Sequence, residues 1–122
     1  MFVTTTSNST SSAPVRFAIT INGNVTGAEQ IVEGQAPLPT KKWTHVAVVL
    51  GSTGAVLYVD GVQVGANTAV TLRPADLGNT TNSYIGRSQY PADPYLDGDI
   101  DDFRVYNRAL LPAEIQALAS GS

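Results

Sequence analysis

At 122 residues the chain is one domain on length alone, and a domain of this size buries about two-thirds of the surface its unfolded form exposes. Only 14% of residues are charged and 43% are hydrophobic, with Thr, Ser, Asn and Gly favoured over Lys and Glu, a composition of strands and turns. A net charge of −3 with seven scattered Lys and Arg offers no basic stripe for nucleic acid, no run approaches the ~18 apolar residues of a membrane span, and the lack of Cys removes disulfides, thiol catalysis and Cys-based zinc sites.

The opening Met1-Phe2-Val3, followed by Thr and Ser, is not a signal peptide; the start reads as a cut inside a longer gene and the closing Ser120-Gly121-Ser122 as a linker. Phe2 to Thr6 is a short β-prone run, and Ser7 to Pro14 is a polar loop. From Val15 to Ile21, Val15, Phe17, Ile19 and Ile21 alternate with Arg16, Ala18 and Thr20, the pattern of a half-buried strand. Asn22-Gly23-Asn24 predicts a reversal, Ala28 to Val32 a weaker strand, and Pro37 to Thr40 an extended connector.

Trp43 to Gly61 is the most informative stretch. Its first arm passes from alternation into the apolar run Val46-Ala47-Val48-Val49-Leu50, as in a strand covered on both faces. After a Gly-Ser-Thr-Gly turn the second arm alternates, Val56 and Tyr58 on one face, Leu57 and Val59 on the other. Asp60-Gly61 tolerates positive φ and predicts a tight two-residue reversal into Val62-Gln63-Val64, which completes a three-stranded antiparallel meander. Further strands are expected at Ala69 to Leu72, Asn82 to Ser88 and Asp99 to Tyr106. Pro112 at a first helical position with Glu114 behind it predicts a short helix to Ala119, docking through Ile115 and Leu118.

Four segments in order carry a family likeness: K-W-T-H-V-A-V, L-Y-V-D-G-V-Q-V-G, S-Y-I-G-R-S, and G-D-I-D-D-F-R-V-Y-N-R-A-L-L-P-A-E-I-Q-A-L. Each alone is weak; together, over roughly 80 residues, they are fairly specific. The chain resembles the laminin-G-like, concanavalin-A-type jelly rolls that bacteria attach to secreted and surface proteins, often glycoside hydrolases. The resemblance implies an all-β, antiparallel two-sheet jelly-roll sandwich with one short C-terminal helix, as a single domain over residues 1–122. Family members usually run longer, so either N-terminal strands are missing, leaving an open sheet edge that invites a homo-oligomer, or this is a compact variant that closes by itself.

Single residues carry the candidate chemistry. Trp43, the one tryptophan, is expected in the core, where it opens a central strand, rather than in a groove stacking on a sugar. His45 has no second His or Cys to share a metal with and reads as a structural strand residue. Tyr90 and Tyr95 lie in a proline-stiffened loop that either presents rings for binding or covers the end of the sandwich.

Asp93, Asp97, Asp99, Asp101 and Asp102 crowd ten positions. If Phe103 and Val105 face the core, Asp101 shares their side near its rim, where a carboxylate must be hydrogen-bonded, paired with an arginine, or metal-bound. Calcium suits oxygen ligands of this kind, with Asp101 and Asp99 as first choices, and the resemblance implies a structural calcium near an acid of this strand. The spacing is not that of an EF-hand. Asp99 and Asp101 also have the i,i+2 spacing of glycosidase carboxylates, but Glu29, Glu33 and Glu114 lie elsewhere, which argues against an enzyme. The resemblance says little about the ligand; the leading reading is a non-catalytic, carbohydrate-binding accessory module of a larger secreted or cell-surface protein, binding through the loop tyrosines Tyr90 and Tyr95 and the polar side chains Arg87, Gln89 and Asn82. The alternatives are an adhesion module whose partner is a protein or a neighbouring domain and, behind it, a glycoside hydrolase.

Overall fold

In the computed structural model of the chain, residues 1–6, 12–23, 27–88 and 90–121 are described; the expected polar loop from Ser7, the end of the reversal at Asn24, Gln89 and the last residue of the expected linker, Ser122, fall wholly or partly outside them. The described residues form six strands, β1 (Phe2–Thr4), β2 (Arg16–Ile19), β3 (Gln30–Glu33), β4 (Val46–Gly51), β5 (Gly54–Val59) and β6 (Val62–Asn67), then a 3-10 turn (Pro74–Leu77) and helix α1 (Pro112–Ala119). They make two three-stranded antiparallel sheets, ordered β1-β2-β3 and β4-β5-β6.

Alternation decides what lies between the sheets. Phe17 and Ile19 of β2 and Val32 of β3 meet Ala55 and Leu57 of β5, with Val15 and Val70 buried beside them and Val46, Val48, Leu50, Val59 and Val64 around the margin. The opposite face of the second sheet presents Tyr58, Ala47, Val49 and Val56, and this face is covered by Leu110, Ile115 and Leu118. The β4–β5 hairpin is therefore a middle layer, apolar on both sides as its first arm predicts.

Side-chain bonds stitch the sheets at one corner. Asn67 Nδ2 donates to the Ile31 carbonyl (2.6 Å), while Gln30 Oε1 accepts from the backbone N–H of Thr71 (2.7 Å) and Leu72 (2.9 Å). Here the chain passes so close that a Cβ on Gly65 would stand 2.1 Å from the Glu33 carbonyl oxygen, so only glycine fits. The expected strand at Ala69 to Leu72 does not form, because a glutamine side chain takes the amide hydrogen bonds a neighbouring strand would otherwise take.

At Asp60-Gly61 both φ values are positive (48° and 77°), as the two-residue reversal requires. Asp60 also binds the entry to β4: its carboxylate accepts from the His45 N–H (2.9 Å) and the Lys42 ammonium (2.8 Å), and its N–H donates to the His45 carbonyl (2.8 Å). The lysine, followed by the backbone donor, holds the Asp60 carboxyl below its ordinary range.

Three other expectations fail. Asn82 to Ser88 and Asp99 to Tyr106 are not strands; Phe103 and Val105 are 68% and 82% exposed, and Asp102 takes a left-handed φ of 52°. An alternating run becomes a strand only when a neighbour completes its ladder, and none lies alongside either segment among the described residues. Trp43, expected in the core, is 67% exposed.

α1 begins at Pro112 as predicted, and Ile115 is 2% exposed against Tyr58 and Leu110. Its first turn is clamped: Glu114 takes both Arg108 guanidinium nitrogens (2.8 and 2.6 Å) and the Leu111 N–H (2.8 Å). Arg108, and after it that backbone donor, hold the Glu114 carboxyl down from 4.5 to about 2. A carboxyl with a depressed folded pKa stabilises the fold above its unfolded value and loses that contribution as pH falls toward the folded one. The melting-temperature gap between the wild type and Glu114→Gln should be full above pH 4.5 and closed near pH 2. A gap constant over that window would contradict the clamp.

Candidate functional site

The chain leaves the sandwich through an anchored turn. Leu77 packs against the core, Asp76 accepts from the Arg73 N–H (2.7 Å), and the Arg73 guanidinium donates to the Leu72 carbonyl (2.9 Å) and to the Gly51 carbonyl at the end of β4. Beyond Gly78 the backbone runs over the surface, and a groove of about 320 Å³ opens there, lined by Asn79, Thr80, Thr81, Asn82 and Tyr84. Hydroxyls and amides make up its walls, with one aromatic ring at its edge.

That ring belongs to a three-residue stack. The Arg87 guanidinium carbon lies 4.6 Å from the Tyr84 ring centroid and 5.8 Å from that of Tyr95, within cation–π range of both. Backbone bonding brings the two tyrosines to one arginine: Gly86 turns with φ 76°, and its carbonyl accepts the Leu96 N–H (2.8 Å), pinning the returning limb of the loop against the outgoing one. Tyr95 is 71% exposed and Tyr84 is also exposed, so the stack presents ring surface to solvent.

Of the binding residues expected from the sequence, the structure gathers three onto this surface: Asn82 in the groove wall, and Arg87 and Tyr95 in the stack. Tyr90 is half-buried in a turn, its N–H donating to Ser88 Oγ (3.1 Å) and its carbonyl accepting the Asp93 N–H (3.1 Å). Gln89 lies outside the described residues. Tyr84, in the same segment as Asn82 and Arg87, is not among the binding residues expected from the sequence; its spacing of three residues from Arg87, across a glycine, is the signal that could have found it.

The acidic segment departs from expectation. Asp99 and Asp101 are exposed, and Phe103 and Val105, whose burial would have put Asp101 at a core rim, face solvent. One Asp101 oxygen accepts the Asp102 N–H (2.8 Å), and Asp102 in turn takes Arg104 (3.2 Å). No group of three or more His, Cys, Asp or Glu side chains converges to hold a metal among the described residues.

Residues 3–116 match the laminin-G-type family model described as the concanavalin A-like lectin/glucanases superfamily. The chain belongs to that family. An α-L-arabinofuranosidase of Bifidobacterium longum subsp. longum is 29% identical over 100 residues, which are 82% of this chain and 9% of that protein. Residues 221–444 of an S-layer domain-containing protein from Clostridium thermocellum, solved at 2.1 Å, superpose with a TM-score of 0.56 at 35% identity, covering 88% of this chain and 52% of that one. This superfamily domain therefore recurs within larger proteins. Among the described residues no helix is long and apolar enough to cross a membrane.

The solvated acids lead to a stability prediction. In EDTA, Asp99→Asn and Asp101→Asn should each change stability by no more than about 0.5 kcal/mol. A melting temperature that drops on the order of 10 °C on chelation, and no longer does so in Asp101→Asn, would establish the calcium site expected from the sequence; an unchanged melting curve would leave Asp101 only its hydrogen bond to Asp102.

Proposed function

We propose that this laminin-G-like domain is a non-catalytic carbohydrate-binding accessory module of a larger secreted or cell-surface protein, and that it binds glycan across the Tyr84–Arg87–Tyr95 stack and the adjoining groove. The observation that carries the reading is the stack itself. Exposed rings held stiffly beside a row of hydroxyl and amide groups offer apolar faces for sugar rings and donors and acceptors for their hydroxyls. The kinship with a domain-sized part of an arabinofuranosidase supports a role next to glycan chemistry, and the S-layer neighbour supports a place at the cell surface.

The glutamates favour binding over catalysis, since each has a structural occupation. Glu29 and Glu33 flank Arg16, and Glu114 is bound to Arg108. A glycosidase needs an acid and a base facing each other across a sugar.

A second reading, an adhesion or interaction module whose partner is a protein or a neighbouring domain, is favoured by the exposed apolar row Ile100, Phe103, Val105 and Tyr106. β4 adds a route to self-association, because it is an uncharged edge strand of six residues with no neighbour on its outer side among the described residues. Pairing there would appear as a mass that rises with concentration in sedimentation equilibrium; a monomer at every concentration would remove it.

Affinity electrophoresis through gels containing arabinan, xylan, pectin and bacterial cell-wall polysaccharide tests the main proposal. Retardation by at least one polymer is expected, and Tyr84→Ala or Tyr95→Ala should weaken it by about tenfold, some 1.4 kcal/mol. Free migration through all of them would leave the interaction-module reading in its place.

A further inference from the structure

We infer that the glycan taken at this surface carries carboxylates, a uronic-acid-containing polysaccharide, with the Arg87 guanidinium as the group that reads them. The inference rests on the carbohydrate-binding proposal and narrows its ligand. It starts from how the arginines are employed. Of the five, Arg16, Arg104 and Arg108 sit in ion pairs and Arg73 donates to backbone carbonyls. Arg87 has neither a carboxylate nor a carbonyl partner among the described residues; its contacts are the faces of Tyr84 and Tyr95.

The guanidinium carbon lies within cation–π range of both rings, and no carboxylate or carbonyl among the described residues takes its N–H edge. That edge presents parallel donors spaced to meet both oxygens of a carboxylate, while the rings restrict the side chain and so reduce the ordering cost of binding. A neutral sugar hydroxyl would use one donor and no charge. A uronate would use two donors and the charge, with its ring hydroxyls directed at Asn79, Thr80, Thr81 and Asn82 along the groove.

The electrostatic setting makes such recognition local. The chain carries a net charge of −3, and Asp93 and Asp97 belong to the same loop as Tyr95, so the surface has no general attraction for polyanions. Binding that depends on Arg87 would therefore report a fitted contact, with a salt dependence close to that of a single ion pair.

The test is calorimetry with soluble galacturonate oligomers, their carboxyl-reduced neutral counterparts, and a sulfated glucan of similar length. The expected result is roughly tenfold tighter binding of the galacturonate oligomers than of the reduced ones. In Arg87→Gln that ratio should collapse to near one, and Arg87→Lys, which keeps the charge but not the fork, should recover only part of it. Unchanged melting temperatures would show both variants folded, as an exposed side chain leads one to expect. Equal affinity for charged and reduced oligomers would overturn the carboxylate inference and leave the carbohydrate proposal standing. Equal or tighter binding of the sulfated glucan, weakened alike by Arg87→Gln, would overturn it in favour of general anion capture. Binding of none of the three, in a protein that also migrates freely through every polysaccharide gel, would take the carbohydrate proposal down with it.

Discussion

The structure depends on burying the β4–β5 hairpin from both sides. Leu57, Val48 and their neighbours face the first sheet, and Tyr58, Val49 and Val56 face α1. A three-stranded sheet covered on one face only would hold a marginal core; the helix adds the second apolar contact, and the first sheet supplies the larger one. The Asp60 turn and the Glu114 clamp act at two margins of this middle layer. The first fixes where β4 starts relative to the β5–β6 turn, and the second fixes the turn of helix that carries Ile115. Neither is buried, and each holds in place a residue or strand that is.

The candidate site is attached to the same layer. Arg73 reaches back to the Gly51 carbonyl and Leu77 reaches into the core, so the surface loop is hung from the end of β4. Beyond that attachment a backbone bond, Leu96 N–H to the Gly86 carbonyl, joins the two limbs of the loop that bring Tyr84 and Tyr95 to one guanidinium. Loops carry binding because they are free of the ladder; they bind well when the scaffold fixes their ends.

Where the sequence is read against local physics, it is legible. The two-faced apolar run of β4, the alternation of β5, the positive-φ pair Asp60-Gly61 and the Pro112 helix start each describe a residue and its near neighbours, and each has its expected form. What alternation does not state is whether a neighbour exists. Asp99 to Tyr106 has a strand's pattern and no partner among the described residues, so Phe103 and Val105 face water, and the reasoning that placed Asp101 at a core rim lost its premise. Trp43 fails for a related cause: it precedes the first paired residue of β4, just outside the region where the pleat directs side chains inward. Asn82, Arg87 and Tyr95 were legible as surface polar and aromatic residues, whereas Tyr84 needed the Gly86 turn to be seen.

The division of charge along the chain bears on what such a surface can bind. Most acids either hold the scaffold, as Glu29, Asp60 and Glu114 do, or stand in the solvated stretch from Asp93 to Asp102. Three of the seven cations, Arg16, Lys42 and Arg108, pair with the first group, whereas the Arg87 guanidinium lies against two rings near a polar groove with no carboxylate or carbonyl partner among the described residues. A guanidinium so held contributes little to folding, since its ring contacts are exposed and cation–π pairs at such sites are worth only about 0.5–1 kcal/mol. In the proposed binding role its value would lie in the entropy removed from the side chain before a ligand arrives, and the bond that brings both rings to it, from Leu96 to Gly86, belongs to the backbone rather than to the arginine.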